Sequence, residues 1–257
     1  MCIDWATVSS IATALSMIFV AHQSRLMKQS FRYNCEWQEK AKAVELACMY
    51  KDKILPNTSY LSTFMRITGV ETLLGNLNQH NISSFTKDEL LRLTNSRILD
   101  IVKSVKRNTD NLPALLALRE RCSSRVDIIA RNQTNELYSS LSSFLSSPPD
   151  KEQMDKALFI LWSEFNEIQI ETLNSLEFFA MNFTSKVADE TMVFQSLHQT
   201  YLNIVQLLYY QIAIRNTNVK DKYYTNIIAL YHTWSARDLE NENKANEAIF
   251  HPSSVSK

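Results

Sequence analysis

The stretch Trp5-Ala-Thr-Val-Ser-Ser-Ile-Ala-Thr-Ala-Leu-Ser-Met-Ile-Phe-Val-Ala21 decides how the rest of the chain is read. No formally charged residue occurs from Trp5 to Ser24. These 20 positions make about 30 Å of helix, the thickness of a bilayer core. Their hydrophobicity is moderate, because Thr7, Ser9, Ser10, Thr13 and Ser16 interrupt them. No Lys or Arg precedes the segment, and no small-x-small cleavage site follows Phe19, which argues against a signal peptide. Basic residues follow at Arg25, Lys28 and Arg32. The positive-inside rule then predicts a single-pass membrane protein, N-terminus out, with the bulk of the chain cytoplasmic. Trp5 and the basic trio mark the two membrane interfaces. The competing reading is a buried amphipathic core helix.

The hydroxyls are not scattered evenly. At helical spacing Ala6, Ser9, Thr13, Ser16, Met17 and Val20 share one face, and Val8, Ile11, Leu15, Ile18 and Phe19 share the other. Small residues let helix backbones approach, and hydroxyls can hydrogen-bond across the contact. Ala6, Ser9, Thr13 and Ser16 are therefore the expected face for self-association, or for lining a pore. In a passive anchor the same hydroxyls would bond their own i−4 carbonyls.

Outward from this segment, no Gly or Pro occurs between Met1 and Leu55, so one helix is predicted to run on until Pro56. The whole chain of 257 residues holds 2 Gly and 5 Pro, where average usage would give about 18 and 13. Such scarcity excludes hairpin-rich barrels, phosphate-cradling loops and dinucleotide folds. Helices are predicted over 58–78, from the capping box Thr86–Glu89, from Pro113 to about 147, and over 151–183, 188–215 and 220–239. The apolar stretch 201–214 reads as the buried central helix. The fold class is all-α, organised as a transmembrane helix (1–24), a juxtamembrane stalk (25–55), a helical bundle (56–240) and a polar tail (241–257).

Lys+Arg and Asp+Glu both number 27, so no global charge draws the chain to nucleic acid. The distribution is uneven. Residues 92–131 carry nine basic and four acidic side chains, whereas 132–257 carry nine basic and fifteen acidic ones. Arg119, Arg121 and Arg125 could hold the phosphates of a nucleotide or oligonucleotide. They could equally face the acidic C-terminal half. The four cysteines form no CxxC pair, the five histidines form no HExxH or Glu-x-x-His pattern, and there is no P-loop or GxSxG element. No metal, cofactor or catalytic site is predicted.

Two regions carry a resemblance. Asp4-Trp5 with the following span, Gln23 and the run Arg25–Arg32 form the first. Leu173-Asn-Ser-Leu-Glu177-Phe-Phe-Ala180, Asp189-Glu190, Arg215 and Tyr224–Trp234 form the second. Together they resemble a family of single-pass bacterial membrane proteins that carries a domain-of-unknown-function label. The resemblance implies an acid on one helix facing an Arg on the next, here Glu177 with Arg215. The anchor, basic stalk and helical domain are also similar in architecture to membrane effectors of anti-phage systems, such as the channel-forming Hailong effector type. That similarity implies a homo-oligomer in membrane lipid, a nucleotide or oligonucleotide signal, and a cognate partner protein. The rival is a membrane-tethered interaction protein without a pore.

Overall fold

The computed structural model describes residues 5–69, 111–122, 151–216 and 222–250, with the side chains of residues 5–15, 153, 213, 214 and 246–250 outside that description. The described residues are all-α, in agreement with the glycine and proline content. Helix α1 (Trp5–Met49) leads into a π-turn (Tyr50–Ile54) and α2 (Leu55–Ile67). Then come α3 (Leu112–Cys122), α4 (Lys151–Thr184), α5 (Thr191–Arg215) and α6 (Thr225–Phe250).

Pro56 does not end the first helix. Proline lacks an N–H and its ring crowds the carbonyl four residues back. The chain absorbs both defects by widening one turn. The Leu55 N–H bonds the Tyr50 carbonyl, five residues back, and Met49, Ile54 and Leu55 all keep right-handed helical angles. Helix α2 stops at Gly69, whose φ of 74° is a left-handed cap that glycine adopts without strain. It therefore ends before the predicted limit at 78. Helix α6 runs on to Phe250 instead of ending near 239. No Gly or Pro lies between 225 and 250, and Lys244 pairs with Glu240 one turn earlier at 2.6 Å.

The core is centred on α4. Ala157, Leu158, Leu161, Phe165, Ile168, Leu173, Leu176, Phe179, Ala180 and Phe183 are all buried along it, a helical repeat that faces partners over nearly its whole length. Phe64 of α2 stacks on Phe165 with ring centres 4.1 Å apart. Phe179 meets Tyr50 of the π-turn at 4.9 Å and Trp234 of α6 at 6.3 Å. Tyr201 of α5 meets Trp234 edge-on at 5.0 Å and donates its hydroxyl to the Ile227 carbonyl of α6. The stretch 201–214 was expected to be the central helix; it lies in α5 with most of its described side chains buried, but the centre of the core is α4.

Helix α1 joins this core only near its end. Ala43 and Leu46 are buried, and the Asp189 N–H reaches the Glu39 carbonyl at 3.2 Å. From Ser16 to Asn34 every residue is exposed. Among the described residues no helix is long and apolar enough to cross a membrane. The expected segment 5–24 is thus helical through its described part, but the span itself is not supported. Hydroxyls within it, and His22 and Gln23 at its end, dilute its hydropathy.

Candidate functional site

The sequence-predicted residues fall into three places. Trp5, Ala6, Ser9 and Thr13 lie in α1 with their side chains outside the description, while Ser16, Arg25, Lys28 and Arg32 are exposed along its free half. Arg119 and Arg121 lie in the last turn of α3, and Arg125 is outside the described residues. Glu177 and Arg215 lie on α4 and at the end of α5.

Arg119 is buried, and its guanidinium makes a two-armed bond with Glu164 of α4, at 2.8 Å from Nε and 2.7 Å from one Nη. Planar guanidinium and carboxylate groups match at two points, which fixes the crossing of α3 on α4. The bond joins the basic segment to the acidic half of the same chain, one of the two arrangements the charge pattern allowed. A phosphate at Arg119 would have to displace a carboxylate already in place. Arg121 is exposed. The buried Tyr60 hydroxyl beside this pair has no hydrogen-bond partner among the described residues.

Glu177 does not use its charge on Arg215. Its carboxylate accepts the backbone N–H of Asn226 at 3.2 Å and of Ile227 at 3.0 Å, with the Asn226 amide at 2.8 Å. The first N–H groups of a helix have no partner of their own, and they carry the positive end of its dipole. Helix α6 has no acid in its own first turn, so α4 supplies one from the side. Tyr224, the residue before α6, holds a positive φ of 60°. Burial raises its phenol above its ordinary pKa, partly offset by the positive charge of nearby Arg215. Arg215 itself is exposed in the last turn of α5.

A further cluster was not singled out in the sequence. Glu190, just ahead of α5, accepts from Trp234 Nε1 at 3.3 Å and from Arg237 at 3.5 Å. The Arg237 guanidinium lies 4.1 Å from the centre of the Phe194 ring. His198 stacks on that ring at 4.6 Å, with Nε2 3.1 Å from Asp238 and Nδ1 2.7 Å from the Phe194 carbonyl. Both ring nitrogens face oxygen acceptors, and a neutral imidazole carries one N–H, so it can donate to only one of them at a time. The available signal was spacing: Phe194 and His198, then Trp234, Arg237 and Asp238, each share a helix face. The group locks α5 to α6. Among the described residues no set of three or more His, Cys, Asp or Glu side chains is placed to hold a metal ion.

No family model, no curated protein and no solved structure matches the chain. The family resemblance rests on the residues that carry it in the sequence.

Proposed function

We propose that the protein is a homo-oligomeric membrane effector. The N-terminal part of α1 enters a bilayer, the helical bundle stays on the cytoplasmic side and receives a signal, and clustered N-terminal helices then permeabilise the membrane. The observation that carries this reading is the run Met17-Ile18-Phe19-Val20, whose side chains are between 59% and 67% exposed. Four successive side chains step about 100° each and so surround the helix. A helix that is apolar all round is covered by a protein interior or by lipid. No described element of the bundle covers this one.

The modest hydropathy of the segment fits association better than solitary insertion. Ser9, Thr13 and Ser16 would be unfavourable against lipid alone, but they can bond across a helix–helix contact. The defence role, the nucleotide or oligonucleotide trigger and a cognate partner protein enter on the architectural similarity to anti-phage effectors, and Arg121 and Arg125 are the residues left to test for phosphate binding. The tethered interaction protein without a pore remains the rival.

The test is expression of the full chain with membrane fractionation and a potential-sensitive dye. The wild type should sediment with membranes after alkaline carbonate washing and depolarise cells. Ile18→Asp with Phe19→Asp should abolish both. Ser9, Thr13 and Ser16 changed to Leu should keep the membrane fraction and lose depolarisation. A wild type that stays in the carbonate supernatant overturns the membrane reading. Membrane retention without depolarisation favours the tethered rival.

A further inference from the structure

Beyond Val20 most of the exposed apolar side chains of α1 form a stripe, while Met27 and Phe31, 72% and 70% exposed, lie off it. Phe19, Leu26, Tyr33, Trp37 and Val44 follow one another at intervals of 7, 7, 4 and 7 residues. At 100° per residue they fall within an arc of about 40°. Each is more than half exposed, from 51% for Leu26 to 73% for Trp37. The bundle-facing residues Ala43, Leu46 and Tyr50 lie about 130° round the helix from this arc.

We infer that this stripe is the seam of a parallel coiled contact with a second copy of the chain. The intervals are those of a heptad, in which Phe19, Leu26 and Tyr33 take one core position and Trp37 and Val44 the other. Ser16, Gln23 and Ser30 take the remaining sites of that second position, and exposed Lys40 takes the site of the first position between Trp37 and Val44. Small or polar residues there alternate with large ones, which gives room for interdigitation and fixes register. Arg25, Lys28 and Arg32 lie about 130° round from the seam, so in a parallel pair they point outward instead of opposing each other. The five side chains would cover on the order of 600 Å² per protomer, about 1,200 Å² for the pair, which reaches the size of stable interfaces.

Lipid is the weaker occupant. Helix α1 is continuous from Trp5 to Met49. If residues 5–21 lie in a bilayer, Trp37 stands about 24 Å and Val44 about 35 Å further along the axis. Neither is then within reach of acyl chains, and protein is what remains to cover them. The parallel orientation rests on the membrane reading proposed above, whereas the seam does not.

The test uses the full chain in mild detergent, with Cys2, Cys35, Cys48 and Cys122 replaced by alanine. Ser30→Cys should give a disulfide-linked dimer on mild oxidation, and Arg32→Cys should give at least tenfold less. In the otherwise native chain, Tyr33→Glu with Trp37→Glu should reduce the protein mass measured by light scattering to that of a single chain. The melting transition of the bundle should be unchanged, because both side chains are exposed. Equal cross-linking at both positions, or unchanged mass in the double Glu variant, overturns the proposal. Unchanged mass with lost binding to phosphatidylglycerol vesicles would make the stripe a lipid contact, which also overturns it. Failure of the carbonate and dye experiments with the Ser30 cross-link intact would remove the membrane reading and leave the seam standing.

Discussion

The two longest helices, α1 with 45 residues and α4 with 34, cover their apolar side chains in different ways. Along α4 buried residues recur at helical spacing from Ala157 to Phe183, and α2, α3, α5, α6 and the π-turn all pack against it. Along α1 burial begins only at Ala43. Aromatic residues occur on both, yet Phe165 and Phe179 are inaccessible while Phe31 and Trp37 are exposed. Apolar content therefore does not locate a core. What matters is whether the chain returns to cover the surface, and for the free half of α1 the described chain does not.

Alkali should separate the two regions most sharply. Burial raises the phenols of Tyr50, Tyr60, Tyr201 and Tyr210 well above their ordinary pKa. The unfolded chain loses these protons near pH 10, whereas the folded chain retains them. Their contribution to stability is therefore full below about pH 10 and falls as pH rises beyond it. Tyrosinate absorbance and circular dichroism followed together should show the α4 bundle unfolding cooperatively in that range. Gradual titration of these tyrosines without unfolding would mean that the core is looser than described.

The paired tryptophans give the next contrast. Trp234→Ala removes a fully buried ring and should cost about 3–5 kcal/mol. Trp37→Ala should move the bundle's melting by less than about 0.5 kcal/mol, because surface substitutions seldom do more. Comparable losses would place Trp37 in an intramolecular core.

Arg119 and Glu164 test how α3 is held to α4. Removing either partner takes away the two-armed bond that balances a buried charge, a loss of about 3–5 kcal/mol. The double change to Met and Leu should recover most of that in a thermal melt. No recovery would show that the carboxylate and guanidinium serve other partners more than each other.

Glu177 and Arg215 make a smaller test. Glu177→Ala strips the cap from α6 and should cost about 2 kcal/mol, and Glu177→Gln about half of that. Arg215→Ala should cost about 0.5 kcal/mol or less. The two should add, because the structure records no ion pair between them. A coupling energy above about 1 kcal/mol would restore the pairing that the family resemblance implied.

The smallest effect concerns the end of α4. With so little glycine in the chain, Lys186 occupies a left-handed position at φ 57°. Lys186→Gly should stabilise the bundle by about 0.5–1 kcal/mol, measured as a higher melting temperature. A lower one would mean that the Lys186 side chain contributes more than its backbone strain costs.

Much of the helical layout was legible in the sequence, because helix starts and stops are local. The pair Pro148-Pro149 marks the chain just before α4, whereas α2 ends at Gly69, short of the limit of 78 that its sequence suggested. Pro56 misled because its consequence depends on whether the preceding turn can widen, which Tyr50 and Ile54 allow by burying themselves in the bundle. The importance of Glu177 was legible, but its partner was not. A backbone N–H has no letter in the sequence, whereas Arg215 does. Arg119 stood out as part of a basic cluster, yet only the packing of α3 on α4 brings it to Glu164. The Glu190–Trp234–Arg237 group was hidden for the same reason, since Glu190 lies more than forty residues from both Trp234 and Arg237.

The π-turn has a mechanical consequence. It sits at the end of α1, and among the described residues α1 packs on the core from about Glu39 onward. Residues 5–38 extend from that point as an arm of about 51 Å. A tilt of about 10° at that joint would carry the far end through about 9 Å, close to one helix diameter. A rearrangement of one side chain's width around Tyr50, which meets Phe179 and donates its hydroxyl to Thr200 at 3.3 Å, would thus be geared up into a displacement able to part or join neighbouring helices.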